Sequence, residues 1–210
     1  MSLKEFPTEL LTRIFLHLSY KSLLRVEAVC VQWKSIVAKD PELSVQMFKK
    51  ISQVYVEPGS NEPSFRFESG CYAAKSEPVR LHPALNQASY YMGNDLESVN
   101  FYLGNDNPNW TQLCKLAIAS DFISIPVVTM ATLVLPDRIF GFKIKVKNAK
   151  GVRLTDVFVA MHKESNVPVM TRDYGMMTRA EALGDHRYYE GLQNVARQGL
   201  GLSAEMFLGS

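Results

Sequence analysis

The chain has 210 residues, a formal net charge of +2, 47% hydrophobic residues and 21% charged residues. This composition is typical of a globular protein, and the length allows one medium-sized domain together with a small module. The near-neutral charge gives no reason to expect nucleic acid or an anionic membrane as a partner, and no run approaches the roughly 18–20 apolar residues that a bilayer-spanning helix needs.

The three cysteines are Cys30, Cys71 and Cys114, and they are widely spaced. They form neither a disulfide framework nor a metal-ligand pattern, so we expect a reducing compartment, the cytoplasm or the nucleus. The apolar residues near the N-terminus are interrupted by charged ones, which excludes a signal peptide there.

The first 50 residues predict short helices with broad apolar faces. Pro7 suits the first turn of a helix, because its missing N–H would be unsatisfied there anyway. The apolar residues of this helix recur at helical period: Leu10, Leu11, Ile14, Phe15 and Leu18. Ser19 is expected to end it and to begin a second helix, and a third is predicted over residues 28–39. Asp40-Pro41 ends the third helix and begins a fourth.

In order, these residues resemble an F-box. The resemblance consists of four separated elements: Phe6-Pro7-x-Glu-Leu-Leu-x-x-Ile-Phe-x-x-Leu, Ser22-Leu-Leu, Val29-Cys-x-x-Trp-Lys and Asp40-Pro-x-Leu. Tyr20-Lys21 and Ser44 depart from the common form of the family. The resemblance implies docking on the Skp adaptor of cullin-based ubiquitin ligases, with the remainder of the chain capturing a protein substrate.

The resemblance implies adaptor contacts at the positions of this sequence that match the F-box motif. They are Phe6, Pro7, Leu10, Leu11, Ile14, Phe15, Leu18, Leu23, Leu24, Val29, Cys30 and Trp33. Periodicity alone fits equally well a helical lobe that packs on the domain behind it. A helix-turn-helix DNA reader fits poorly, because the third helix lacks a concentrated basic face.

The chain after the helices divides into a linker and a second domain. Residues 1–50 are expected to form the helical module, residues 51–78 a linker with short strands, and residues 79–210 an α+β domain with an antiparallel sheet. Strands are predicted at 99–103, 127–135 and 140–147, and helices at 152–163, 178–183 and 186–197. Residues 113–119 fit either a helix or a strand, and strand or irregular structure is favoured. Residues 203–210 could pack or fray.

The second domain is similar to an uncharacterised domain of basidiomycete fungal proteins. The resemblance comprises the His82-Pro83-x-Leu85 element, the paired alternating strands and the Val-x-x-x-Asp-Val helix after a short turn. It implies a domain boundary and a fungal origin, and it indicates no catalytic activity or ligand.

The sequence contains no recognisable catalytic constellation, metal-ligand set or cofactor loop. We therefore expect an interaction protein without cofactors or enzymatic activity: the substrate receptor of a cullin-type ligase, which binds no nucleic acid and no membrane. Tyr102 and Trp110 are candidate substrate contacts, and the alternative for Trp110 is a role as a core anchor. The alternative is a ligand-binding or enzymatic α+β domain whose F-box only controls its turnover or location.

Overall fold

The structure is a computed structural model that describes five stretches of the chain. These are residues 6–51, 79–102, 110–135, 141–171 and 174–209. The chain divides into two units, Met1–Val54 and Tyr55–Ser210. The segment predicted as a linker lies, from residue 52 to residue 78, outside the described residues. Within the described stretches, no helix has the length and apolar character needed to cross a bilayer.

The first unit contains the four short helices that the sequence predicts. They are α1 (Thr8–Leu16), α2 (Tyr20–Val29), α3 (Val31–Lys39) and α4 (Pro41–Gln46). Two of the predicted caps are confirmed. Ser19 Oγ accepts a hydrogen bond from the Ser22 N–H at 3.3 Å, and Asp40 Oδ1 accepts one from the Leu43 N–H at 2.9 Å. Each such cap stabilises its helix by about 1 kcal/mol.

Contacts among these helices give the first unit a core of its own. Its fully buried side chains include Leu23, Val37, Leu43 and Met47. The Gln46 side-chain amide donates to the main-chain carbonyl of Leu18 at 2.7 Å. This hydrogen bond joins the end of α4 to the chain that follows α1, where a helix terminus leaves carbonyl groups without helical partners.

The second unit is built mainly from strands. They are β1 (Arg80–Leu81), β2 (Ala88–Tyr91), β3 (Asn100–Tyr102), β4 (Trp110–Gln112), β5 (Ser124–Ile125), β6 (Met130–Val134), β7 (Lys143–Lys147), β8 (Pro168–Thr171), β9 (Gly175–Thr178), β10 (Tyr188–Gln198) and β11 (Gly201–Gly209), with helices α5 (Leu154–Ser165) and α6 (Arg179–Ala182). Residues 113–119 form two 3₁₀ turns, Leu113–Lys115 and Ala117–Ser120. The strand favoured for that segment is therefore wrong, because the backbone forms short helical turns there.

Seven strands form one mixed sheet in the order β4-β3-β2-β10-β11-β6-β7. The α+β fold class is confirmed. The expectation of an antiparallel sheet holds for every neighbouring pair except β11 and β6, which run parallel. Parallel neighbours require a long crossover connection, and here the chain between β6 and β11 includes α5.

One face of this sheet packs on α5 around Phe158. The Phe158 ring makes edge-to-face contacts with Tyr90, Phe101 and Tyr189, with ring centroids 5.8–6.3 Å apart. Burial raises the pKa of Tyr90 to about 12 and raises the pKa of Tyr189 as well. Both phenols therefore remain protonated and donate hydrogen bonds, to the carbonyls of Asn94 and Leu85 respectively.

The helix predicted over residues 186–197 is wrong, because that segment forms strand β10. The pairing of β10 with β11 shifts register between Tyr189 and Gly191 and again between Gln193 and Ala196. A bulge inserts an extra residue into a strand, so the buried Tyr189 and Leu192 lie three residues apart and imitate helical spacing. Residues 201–209 pack as β11, and Gly199, with φ +56°, lies in the turn between the two strands.

Gly151 ends the turn after β7, and we expect its replacement by alanine to destabilise the second unit by roughly 1–3 kcal/mol. Its φ is +101°, and an added Cβ would lie 2.5 Å from Val127 Cγ1 and 2.6 Å from Phe122 Cε1. Gly184→Ala is the matched control: its φ is +66°, but nothing lies within 4 Å of the added Cβ. Urea denaturation measures both variants, and equal losses would show that the close approach at Gly151 is unimportant.

Candidate functional site

Helix α1 carries apolar side chains on two adjacent faces. Leu11 and Phe15 are 3% and 2% exposed and belong to the core of the first unit, whereas Leu10 and Ile14 are 46% and 51% exposed. Residues four apart on a helix are neighbours on its surface, so the two exposed side chains form one patch. Phe6 and Pro7, which precede the helix, are also exposed. We call Phe6, Pro7, Leu10 and Ile14 the α1 strip.

A second exposed apolar feature lies where α2 meets α3. Val29 ends α2 and is 60% exposed, and Val31 begins α3 and is 86% exposed. A single extended residue, Cys30, with φ −160° and ψ 164°, joins the two helices. This tight connection turns both valines outward. We call Val29, Cys30 and Val31 the α2–α3 junction.

The ring of Trp33 holds α3 against the inner face of α1. The Trp33 and Phe15 ring centroids are 5.3 Å apart and the ring planes meet at 65°, the edge-to-face geometry that aromatic pairs favour. Because Phe15 lies on the buried face of α1, this contact fixes the helix with the α1 strip directed to solvent.

The structure separates the twelve predicted adaptor contacts into three groups. Exposed are Phe6, Pro7, Leu10, Ile14 and Val29; partly buried are Leu18, Leu24, Cys30 and Trp33; buried are Leu11, Phe15 and Leu23. The last three side chains belong to the core of the first unit, and their direct contact with an adaptor stays a prediction. Their role is to support the helix that carries the α1 strip.

Val31 is not among the predicted adaptor contacts, yet it is the most exposed of the large apolar side chains described in the first unit. Its position was visible in the sequence, since it follows Val29-Cys30 directly. The sequence did not show the short connection between α2 and α3, which brings Val31 to the surface.

The second unit has its own exposed apolar side chains on the β8–β9 hairpin. Met170 and Met176 face each other across the two strands, and they are 70% and 64% exposed. Tyr174, beside the turn, is 81% exposed. Neighbouring exposed apolar side chains are typical of interaction surfaces. This hairpin was not singled out from the sequence, although its three methionines within eight residues were a visible signal.

Tyr102 and Trp110, the candidate substrate contacts, are directly opposite each other in the pairing of β3 with β4. The backbone thus brings the two residues together. Their role in substrate binding stays a prediction.

His82 and Asp121 form a buried polar pair in the second unit. His82 Nε2 lies 3.5 Å from Asp121 Oδ2, and their side chains are 0% and 4% exposed. His82 Nδ1 accepts a hydrogen bond from the Ala84 N–H at 3.1 Å, so the proton of the neutral ring is on Nε2, facing the carboxylate. His82 thus supports the backbone at Ala84.

The described stretches contain no group of three or more histidine, cysteine, aspartate or glutamate residues arranged to hold a metal ion. Cys30 and Cys114 are free thiols. The chemistry that the α1 strip and the α2–α3 junction can perform is apolar association with another protein surface, because their side chains are aliphatic, aromatic or prolyl except for one thiol.

Residues 3–50 match a family model described as F-box-like. The match covers less than a quarter of the chain and coincides with the unit that carries the α1 strip. No curated protein and no solved structure matches the chain. The resemblance of residues 79–210 to a fungal domain therefore stays a prediction.

Proposed function

We propose that this chain, whose residues 3–50 form an F-box-like domain, is the substrate-receptor subunit of a Skp–cullin–F-box ubiquitin ligase. F-box domains generally bind the Skp adaptor of cullin ligases. In the proposal the first unit binds that adaptor and the second unit binds a protein target.

The α1 strip is the observation that carries the adaptor-binding half of the proposal. Leu10 and Ile14 remain about half exposed although the same helix contributes Leu11 and Phe15 to a well-packed core. Fully burying a leucine or isoleucine side chain stabilises a complex by about 1.5–3 kcal/mol. A partner that covers the α1 strip and the α2–α3 junction would gain a share of this value from each side chain, in proportion to its exposed fraction.

The second unit is the proposed receptor for the target. The exposed Met170, Tyr174 and Met176 on its hairpin support a role in protein binding, because methionine side chains adapt to varied partner surfaces. Binding would promote ubiquitin transfer only by positioning the target. Holding the target in the complex raises the local concentration of its lysines at the ubiquitin-carrying enzyme.

The proposal assigns no catalytic step to this chain. The His82–Asp121 pair resembles part of a catalytic arrangement, but both side chains are sealed from solvent, and the ring is used to hold the turn at Ala84. A substrate bound at the surface would not reach either group.

The proposed location is the cytoplasm or the nucleus, where thiols such as Cys30 and Cys114 stay reduced.

Size-exclusion chromatography of the purified full chain mixed with the Skp adaptor tests the proposal directly. We expect a 1:1 complex that elutes earlier than either protein and that recruits the cullin when it is added. A folded chain that elutes separately from the adaptor at micromolar concentrations would contradict the proposal.

A further inference from the structure

Positive charge is concentrated in one segment of the second unit. Residues 138–155 contain six lysine or arginine residues and no aspartate or glutamate. Since the whole chain has a net charge of only +2, the remaining residues are net negative. The segment includes β7, which lies at one end of the seven-stranded sheet.

Apolar and charged side chains alternate along strand β7, so each of its two faces carries one kind. Ile144 and Val146 are 0% and 3% exposed and belong to the cluster around α5, whereas Lys143, Lys145 and Lys147 are exposed on the opposite face. Because a strand rises about 3.3–3.4 Å per residue, alternate lysines are spaced by about 6.6–6.8 Å. We call these three residues the lysine row.

The surface beside the lysine row comes from β6. Val134, Thr132 and Met130 pair with Lys143, Lys145 and Lys147 respectively, and Val134 and Met130 are partly exposed. Glu205 on β11 lies further across this face, opposite Val134, and it accepts a hydrogen bond from Asn194 Nδ2 at 2.6 Å. On its β6 side the row is thus bordered by the partly exposed Val134 and Met130 and by Thr132, which is 8% exposed.

We propose that the lysine row binds an extended, acidic segment of the target protein. An extended chain directs every second side chain to the same face, so carboxylates at alternate positions repeat at the spacing of the lysines. This inference rests on the proposed role of the second unit as the target receptor, and it names the chemical class of the target segment.

Nucleic-acid binding and protection of a sheet edge are the two alternative roles for the lysine row. Single-stranded nucleic acid is normally held by aromatic rings that stack on the bases, whereas the residues beside the row are Met130, Thr132 and Val134. Lysines on an edge strand can also serve to prevent sheet-to-sheet association. In that case their neutral replacement causes self-association and leaves peptide binding unchanged.

Fluorescence polarisation of the full chain with three labelled probes tests the proposal. The probes are a peptide with glutamate at alternate positions, a peptide of the same composition with its glutamates in one block, and an oligothymidylate of equal length. The row variant is Lys145→Glu with Lys147→Glu. The control is Lys115→Glu with Lys163→Glu, which changes two exposed lysines of the same unit and alters the net charge equally.

We expect the alternating peptide to bind more tightly than the block peptide or the oligonucleotide, and its affinity to fall as salt concentration rises. The row variant should bind it about tenfold more weakly, since two exposed ion pairs are replaced by repulsion. The control variant should bind like the intact chain.

Three results would overturn the proposal: equal binding by the row and control variants, no preference for the alternating peptide, or tighter binding of the oligonucleotide. Self-association of a Lys145→Gln and Lys147→Gln variant with unchanged peptide binding would do the same. Adaptor binding is measured on the same preparations. If it is retained while peptide binding fails, only the inference about the lysine row falls, and the proposed adaptor-binding role stands.

Discussion

Replacing Leu10 and Ile14 together by aspartate is expected to weaken binding of the Skp adaptor by at least about a hundredfold. The double variant loses two aliphatic contacts, each about half-exposed in the free chain, which removes roughly 1 kcal/mol or more per side chain. It also places two carboxylates in an apolar interface, where an uncompensated polar group costs about 1–3 kcal/mol. Since 1.4 kcal/mol corresponds to a factor of ten, the combined loss exceeds two orders of magnitude.

The matched control is Lys34→Asp with Ala38→Asp. These two residues are also exposed and four positions apart, but they lie on α3 and not on the α1 strip. Isothermal titration calorimetry of the full chain with purified adaptor measures both variants, and far-UV circular dichroism checks that each is folded. Retained affinity in the folded Leu10/Ile14 variant would remove the α1 strip from the interface.

Replacing Phe158 by alanine is expected to lower the free energy of unfolding of the second unit by about 3–5 kcal/mol. Phe158 is fully buried and its ring meets three other aromatic rings, those of Tyr90, Phe101 and Tyr189. A cavity between α5 and the sheet would deprive all three rings of contacts. A loss of this size is a large part of the stability of a typical domain, so the variant should be mostly unfolded at moderate urea concentrations.

Val159→Ala provides the comparison on the same helix. Val159 is 48% exposed, so its truncation creates no cavity and should change the free energy of unfolding by less than about 0.5 kcal/mol. Urea denaturation followed by tyrosine fluorescence and circular dichroism reports both variants. Similar losses for Phe158→Ala and Val159→Ala would contradict the placement of Phe158 at the centre of the core.

The helices of the first unit were predictable because their signals are local. Ser19 and Asp40 cap the helices that follow them, and the apolar periodicity of α1 is evident in the sequence. The division of α1 into two faces was not predictable. Leu10 and Leu11 are the same residue type at adjacent positions, and only the packing of α3 and α4 decides which of them is covered.

The sheet of the second unit was less predictable because its pairings join distant parts of the chain. The alternation in β7 was sufficient to assign both faces of that strand. The bulges of β10 disrupt the same alternation around Gly191 and Asn194. The helix prediction rested on Tyr188, Leu192 and Val195 or Ala196, whose spacing fits a helical period. Likewise, the parallel pairing of β11 with β6 depends on a crossover that no local pattern specifies.

The position of β11 affects the order in which the two units can form during synthesis. β11 is the last strand in the sequence, yet it lies inside the sheet between β10 and β6. Sheet pairings across such long sequence separations form late, so the sheet cannot close until residues 201–209 have left the ribosome. The helical unit is complete by residue 54 and its contacts are local. The first unit can therefore fold, with Leu10 and Ile14 in their exposed positions, well before the second unit does.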